Sequence, residues 1–352
     1  LDIPCETIPP LEARFTWRPD RFLKYLLSFG RTFKQLRAAI SGSNPDLIHA
    51  NSIRAGLAAT LASIGTKTPV FWHLQDELRR HPFSSAIRIV AAASSRVRLI
   101  AASKATAESF RGRLGRIFDK RVPMRVIYNS IEMENFHIDT QRRKDIRKEL
   151  GLTESEIVFG IVGQITSRKG QLELIRTFAE TPKRIPTASL LVVGSPMFNQ
   201  DHLYLDQLKK TACGLGLEDR VKFLGKRNDV PALMQAVDVL VVNSKSEAFV
   251  IVALEAMACG TPVIATDVGG IREMIEHRVT GWIVPFGDPQ LLSEALSTLG
   301  SEPELRSAIS DAGRELVARK FHADKFIADL EDFFELAALN VEAGEGSLLV
   351  QH

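Results

Sequence analysis

The sequence has few cysteines and no long apolar run. Its 352 residues include three cysteines, Cys5, Cys213 and Cys259, and no two of them form a Cys-x-x-Cys pair. Such widely spaced cysteines argue against a zinc site and for a reducing compartment, here the cytoplasm. No apolar segment approaches the roughly 20 residues that a membrane-spanning helix needs. The sequence therefore predicts neither a zinc-stabilised fold nor a transmembrane helix.

Three kinds of motif are also missing. No strand pattern is followed by Gly-x-Gly-x-x-Gly, which argues against a nicotinamide-dependent dehydrogenase. No Asp-x-Asp pair is present to hold a catalytic metal ion, so we expect no metal and no other cofactor. No nucleic-acid-binding motif accompanies the basic residues, so we expect no nucleic-acid partner.

Charge is divided unevenly along the chain. Residues 1–150 contain 26 Lys and Arg against 14 Asp and Glu, a balance of +12, whereas residues 151–352 contain 19 against 28, a balance of −9. The basic half fits either peripheral contact with an anionic inner-membrane surface or a solvated face without a partner. Within it, the helix-like stretch 19–40 places apolar residues among Arg and Lys. That pattern fits either a lipid-facing helix or packing on a sheet.

Short apolar runs alternate with helix-like stretches in both halves of the chain. The apolar runs are residues 46–50, 70–73, 97–101, 124–128, 157–162, 190–193, 221–224, 239–242 and 263–265. The helix-like stretches are 54–64, 104–118, 172–180, 203–215, 248–258, 291–299, 304–320 and 323–339. Apolar strands separated by helices predict parallel sheets covered on both faces, an α/β fold. The polar stretch 136–156 has no core pattern and marks a domain boundary.

The most informative stretch is 243–273, NSKSEAFVIVALEAMACGTPVIATDVGGIRE. We expect Glu247 in the loop before a helix and Glu255 inside that helix. Backbone N–H groups at a helix N-terminus bind phosphate, and nearby carboxylates accept hydrogen bonds from sugar hydroxyls. By itself, a pair of glutamates at this spacing is more often a solvated surface pair.

This stretch resembles the signature of the retaining GT-B glycosyltransferases, in particular glycosyltransferase family 4 (group 1). The family pattern S-x-x-E-G-F-G, L-E-A-M-A-C-G-T-P-V and G-G-x-x-E is matched, except that Ala248 and Val250 replace two glycines. A second segment, 162–171, resembles the family's V-G-R-x-x-x-x-K-G loop, with Gln164 in place of the arginine. Weaker similarities extend over most of the chain.

The resemblance implies a fold of two doubly wound, Rossmann-like domains facing a cleft. Residues 1–140 would be the acceptor-side domain, 141–320 the domain that binds the nucleotide-sugar donor, and 321–352 a closing helix and tail. Because the usual first strand and glycine-rich loop have no counterpart, we expect the first domain to be truncated by roughly one or two βα units.

The resemblance also implies the site residues. Glu247 would be catalytic, contacting either the transferred sugar or its developing positive charge, and Glu255 would bind the ribose hydroxyls. Arg168 and Lys169 would hold the departing diphosphate without a metal ion. The remaining donor-binding residues would be Gly163, Gln164, Phe249, Val250 and Ile251.

Gln75 occupies the place of a histidine that often organises the sugar or acceptor in this family. His73 lies two residues earlier, on the same side of the predicted strand, and is our candidate for that role. The alternative is a histidine that simply belongs to the core.

The predicted activity is transfer of a hexose from a nucleotide-sugar to a glycan, a lipid-linked sugar or a small molecule, with retention of anomeric configuration. A nucleotide-sugar epimerase on the same architecture is an alternative, although the Lys169–Gly170 loop argues against it. A relative that binds sugar nucleotides without catalysis is a third interpretation, because Gln75, Gln164 and the two replaced glycines depart from the family pattern.

Overall fold

The computed structural model describes residues 19–78, 82–112, 115 and 121–342. The chain divides into two compact units: unit 1 takes its residues from Leu1–Ile127 and Asp329–His352, and unit 2 is Tyr128–Ala328. These divisions fall near 127 and 328, whereas the sequence placed them at 140 and 320. Residues 343–352 of the predicted tail, and 113–114 and 116–118 of the predicted helix 104–118, lie outside the described residues.

Unit 1 contains a four-stranded parallel sheet whose strands follow chain order, β1-β2-β3-β4. In chain order, its elements are α1 (Pro19–Ser43), β1 (Ile48–Ala50), α2 (Ile53–Ala62), β2 (Val70–Leu74), α3 (Pro82–Ala93), β3 (Val97–Ala101), α4 (Lys104–Arg111) and β4 (Met124–Val126). The second half of α1 packs inward, since Leu36 contacts the core and Ile40 is buried. For this part of α1, the structure favours packing on the sheet.

Trp72 of β2 is the largest fully buried side chain in the described part of the chain. Its indole Nε1 donates a hydrogen bond of 2.9 Å to the hydroxyl of Thr60 on α2, which satisfies the one polar atom of the ring. A Cβ on Gly56 would lie 2.4 Å from Trp72 Cγ, so only glycine allows α2 to approach the ring so closely. Trp72 thus determines how α2 packs on the sheet.

Unit 2 contains a six-stranded parallel sheet in the order β10-β9-β8-β5-β6-β7. Its elements are α5 (Thr140–Glu149), β5 (Ile157–Val162), a 3₁₀ turn (Ser167–Lys169), α6 (Gln171–Phe178), α7 (Thr181–Arg184), β6 (Ala188–Val193), α8 (Asn199–Gly214), β7 (Val221–Gly225), α9 (Val230–Ala236), β8 (Val239–Val242), α10 (Ile251–Ala258), β9 (Val263–Thr266), α11 (Ile271–Met274), β10 (Trp282–Val284), α12 (Pro289–Ser301), α13 (Pro303–Lys320) and α14 (Ala323–Glu342), the last of which continues into unit 1. This is the strand order of a Rossmann fold, with the reversal between β5 and β8.

The polar stretch that the sequence analysis interpreted as a boundary forms α5 and is anchored in unit 2. Arg147 is buried, and its guanidinium donates hydrogen bonds to the carbonyls of Thr153, Glu156 and Ala236 at 2.7, 2.7 and 2.9 Å. It also pairs with Asp238 at 3.3 Å. Apolar periodicity cannot detect a helix that a buried arginine fixes in place, and for this reason α5 was not predicted from the sequence.

The prediction of two Rossmann-like parallel-sheet domains is confirmed. All nine predicted strands are present, with ends within two residues of the predicted ones, and β3, β5 and β8 have the predicted bounds. The short strand β10 was not predicted, because three buried residues carry too little pattern to recognise.

Candidate functional site

Two loops meet at the carboxyl ends of β5 and β8, where the strand order of unit 2 reverses. One is 163–170, after β5, and the other is 243–250, after β8. In open α/β sheets, ligands bind at this reversal point because the two loops diverge there and leave a crevice. Nearly all the residues that the sequence nominated in the second half lie in these loops.

Glu247, Lys169 and Arg168 form a close charged cluster. Oε1 of Glu247 lies 2.6 Å from Nζ of Lys169 and 3.0 Å from the guanidinium of Arg168. The Glu247 side chain is 9% exposed, and those of Lys169 and Arg168 are 18% and 37% exposed. The two cations therefore share one nearly buried carboxylate oxygen and still have surface open to a ligand.

Hydrogen bonds that do not involve the Glu247 carboxylate also join these two loops. Asn243 Nδ2 donates to the Gly170 carbonyl at 2.8 Å, and the Lys245 amide donates to the Arg168 carbonyl at 2.8 Å. Arg168 in turn donates to the Ser246 carbonyl at 2.9 Å. These bonds set the backbone positions of both cationic residues.

Gly170 is required at this junction. Its φ is +68°, and a Cβ there would lie 1.9 Å from the carbonyl oxygen of Asn243. Gly170 was recognised from the sequence only as part of a motif, and Asn243 was not nominated, although it begins the informative stretch. A buried Asn packed against a turn glycine is the signal of such a bond between loops. Asn243 and Gly170 are 73 residues apart in the sequence, so the sequence does not show that they are partners.

Gly163 and Gln164 follow β5 directly. The Gly163 amide donates to the Val193 carbonyl at 3.0 Å and so continues the pairing of β5 with β6. The Gln164 side-chain amide donates to Asp201 at 3.3 Å, and the Gln164 backbone carbonyl accepts from the Gln171 side chain at 2.9 Å. Gln164 is thus tied to α8 by Asp201, another residue that the sequence analysis missed.

The helix α10 begins at Ile251, so Glu247 lies in the preceding loop as predicted. Ile251 is 43% exposed, whereas Phe249 and Val250 are buried. The first N–H groups of a helix have no acceptor within it and attract anions. Ala248 and Val250, which replace the two glycines, are both buried, so unit 2 accommodates their side chains in its interior.

Glu255 lies inside α10, partly buried. Burial raises the pKa of its carboxyl above the usual range. Within the described part of the chain, no side chain donates a hydrogen bond to this carboxylate or forms an ion pair with it. Glu255 is not part of the Glu247 cluster, and its desolvated oxygens are available to hydroxyl groups of a ligand.

Tyr128 is a feature of unit 2 that the sequence analysis missed. Its ring lies 5.6 Å from that of Phe321 and 6.1 Å from that of Phe249. Nζ of Lys320 lies 4.6 Å from the centre of the Tyr128 ring. Burial first, and the nearby Glu273 carboxylate second, raise the pKa of Tyr128 to about 12. An aromatic cluster thus supports Phe249 directly before α10.

His73 of unit 1 is 2% exposed and stacks on His49, with ring centroids 5.4 Å apart. Its Nε2 lies 3.1 Å from the side-chain nitrogen of Gln75, which is also 3.3 Å from Oδ1 of Asn51. An amide nitrogen only donates, so His73 Nε2 accepts. Burial first, and His49 second, lower the pKa of His73 to about 4. This burial favours the core interpretation of His73, and its catalytic role stays a prediction.

Two features are absent from the described residues. No helix in this part of the chain is long and apolar enough to cross a membrane. Nor do three or more His, Cys, Asp or Glu side chains of the described residues gather where they could hold a metal ion.

A Rossmann-type sheet with two cations at its strand reversal is typical of α/β proteins that bind nucleotides. Residues 142–316 match the family "Glycosyl transferases group 1", and residues 4–130 match "Glycosyl transferase 4-like domain". The chain belongs to the group 1 glycosyltransferases, family 4, with the GT-B fold. The resemblance deduced from the sequence is thereby confirmed.

Individual relatives agree with this assignment. N-acetyl-alpha-D-glucosaminyl L-malate synthase of Bacillus anthracis is 31% identical over 60% of this chain and 53% of its own length. D-inositol 3-phosphate glycosyltransferase of Salinispora tropica is 35% identical over 53% of this chain and 40% of its own. The chain spans about half the length of the curated relatives it matches.

The fold has a well-matched experimental counterpart. The crystal structure of Anabaena Alr3699/HepE in complex with UDP superposes with a TM-score of 0.78 and 28% identity, over 87% of this chain and 82% of that one. The same protein has been solved in complex with UDP-glucose.

Proposed function

We propose that the protein is a hexosyltransferase that moves a sugar from a nucleotide-sugar to an acceptor, with retention of anomeric configuration and without a metal ion. The observation on which this rests is the cluster of Arg168, Lys169 and Glu247 at the strand reversal of unit 2. Two cations and one carboxylate there supply what a nucleoside-diphosphate leaving group and a sugar require.

Sugar transfer leaves a nucleoside diphosphate with a developing negative charge. Arg168, Lys169 and the N-terminus of α10 would stabilise that charge, because prealigned donors in a partly desolvated site act before solvent can rearrange. Glu255 would accept hydrogen bonds from the ribose hydroxyls, and Glu247 would contact the transferred sugar.

The relatives narrow the choice of substrates for testing. HepE in complex with UDP-glucose supports UDP-sugars as the first donors to test. The names of two curated relatives point to small polar acceptors, L-malate and D-inositol 3-phosphate. These acceptors are to be tested together with glycans and lipid-linked sugars.

The test is incubation of the full chain with UDP-, GDP- and ADP-sugars and these acceptors, with products identified by mass spectrometry. NMR of the product anomer tests retention, and activity in excess EDTA tests metal independence. If no donor binds and Glu255→Ala changes nothing, the proposal is wrong. Epimerised sugar formed without acceptor would identify an epimerase, and donor binding without turnover would identify a non-catalytic relative.

We also propose cytoplasmic location with peripheral contact between the basic first half and anionic lipid. The balance of +12 over residues 1–150 supports it. Sedimentation with phosphatidylserine vesicles at low salt, lost at high salt, is the expected result. Equal sedimentation with neutral phosphatidylcholine vesicles would contradict the lipid contact.

A further inference from the structure

We propose that Glu247 is an internal counter-ion of Arg168 and Lys169, and that the donor's diphosphate displaces it. Displacement would free the carboxylate for the sugar only when a donor is bound. This inference rests on the proposed function, because it assigns the same cations to the diphosphate.

The geometry of the cluster resembles that of a bound anion. Both cations converge on Oε1 of Glu247, at 2.6 and 3.0 Å. A carboxylate that is 9% exposed is poorly hydrated, so these cations provide most of its stabilisation. A diphosphate offers several strong acceptor oxygens to the same donors. Glu247 and the diphosphate therefore compete for the two cations.

The loops would keep their positions during this exchange. The bonds from Asn243 to Gly170, from Lys245 to Arg168 and from Arg168 to Ser246 do not use the Glu247 carboxylate. Breaking the ion pairs therefore need not unfold the loops. Glu247 can turn towards the sugar while the cationic segment stays in place.

The charge of the cluster leads to an unusual prediction. With Glu247 present, two positive charges face one negative charge. In Glu247→Gln, both positive charges are available to the diphosphate without competition. We therefore expect this variant to bind nucleoside diphosphates more tightly and to transfer sugar more slowly. A residue that merely binds donor would weaken affinity when replaced, and a merely structural one would destabilise the fold.

The experiment is isothermal titration of the full chain with UDP, GDP and ADP, and with the nucleoside of whichever binds. We expect Glu247→Gln to bind the diphosphate about 5- to 30-fold more tightly, with nucleoside affinity unchanged, since only the charged groups lose a competitor. Turnover of the matching nucleotide-sugar should fall at least about tenfold. The matched control is Glu173→Gln. Glu173 pairs with Lys245, in the same loop as Glu247, at 3.3 Å, whereas the ion pairs of Arg168 and Lys169 are with Glu247.

A second variant, Glu247→Asp, guards against misfolding because it keeps the charge and shortens the side chain by one CH₂. It should tighten diphosphate binding by about 2- to 5-fold. Unchanged or weaker binding by a folded Glu247 variant would overturn the inference. Equal tightening in Glu173→Gln would also overturn it, since that would be a long-range charge effect. Failure of the wild type to bind any nucleoside diphosphate would instead overturn the proposed function.

Discussion

The carboxyl ends of the two sheets differ in strand order and in chemistry. In unit 2 the strand order reverses, and Arg168, Lys169 and Glu247 gather there with surface open to solvent. In unit 1 the described strands follow chain order, and His73, one residue before the end of β2, lies beside His49 and Gln75. Unit 2 has charged side chains at the point where its strand order reverses, whereas unit 1 has a buried, neutral histidine near the end of a strand. This difference supports the proposal that unit 2 holds the diphosphate.

The largest effect is expected from Lys169→Ala. Loss of one cation beside the leaving diphosphate should lower the transfer rate by about 10²- to 10³-fold, because that charge matters most in the transition state. Release of nucleoside diphosphate measures the rate. Lys183→Ala, in an exposed pair with Glu180, is the control and should leave the rate unchanged. If the transfer rate of Lys169→Ala stays within a factor of three of the wild-type rate, a role of unit 2 in the reaction is contradicted.

The second-largest effect is expected on stability, at the contact between Gly170 and Asn243 that joins the two loops of the charged cluster. Gly170→Ala should lower the free energy of unfolding by about 3 kcal/mol, because a positive φ and a backbone clash act together. Gly216→Ala has the same φ of +68° but nothing within 4 Å of its Cβ, and should cost only about 1 kcal/mol. Urea denaturation measures both. Equal losses would show that the contact with Asn243 contributes nothing.

The buried, neutral His73 of unit 1 should make the free energy of unfolding depend on pH. Because the pKa of His73 falls from 6.5 to about 4 on folding, the unfolded chain binds more protons between these values. Stability is therefore fully present above pH 6.5, and about 2 kcal/mol should be lost between pH 7 and 5. His73→Gln should remove this loss.

Trp72→Phe is the control for that measurement. It lies on the same strand, has no titrating group and should lower stability equally at each pH. If His73→Gln keeps the full slope between pH 7 and 5, His73 is protonated in the folded chain and the contrast between the two sheets weakens.

The smallest effect is expected from Glu255→Gln. Losing a carboxylate acceptor for ribose hydroxyls should weaken donor binding by about tenfold. Titration calorimetry with the donor and with its 2′-deoxyribose analogue measures it, and the variant should discriminate less between the two. Glu304→Gln, on the exposed start of α13, is the control. Undiminished discrimination would place the ribose elsewhere.

Much of the fold was predictable from the sequence because buried parallel strands are mostly apolar. The runs that became β5 and β8 had no polar interruption and that of β3 had only Arg98, so even their ends were correct. The helix α5 was missed because its anchor is Arg147, a charged residue in a buried position. Periodicity detects hydrophobic burial and cannot detect a cation that is buried because carbonyls surround it.

The candidate site was only partly predictable. The motifs nominated Arg168, Lys169, Glu247 and Glu255, and three of the four meet in one cluster. They could not reveal Asn243, which acts through a single bond to Gly170, or the ties of Gln164 to Asp201 and of Gln75 to His73. Side-chain hydrogen bonds of this kind depend on loop positions that no spacing in the sequence specifies.

The sequence by itself determined the fold class, the family and the identity of the charged residues, because apolar runs and motif letters are local properties of the chain. Only the tertiary structure decided which charged side chains lie within ion-pair distance of one another. Lys169 and Glu247 are 78 positions apart, and the reversal between β5 and β8 brings them within 2.6 Å. The same folding buried His73 and left Glu255 without an ionic partner among the described residues. Burial lowers the pKa of His73 and raises that of Glu255, and burial exists only once the sheets have formed.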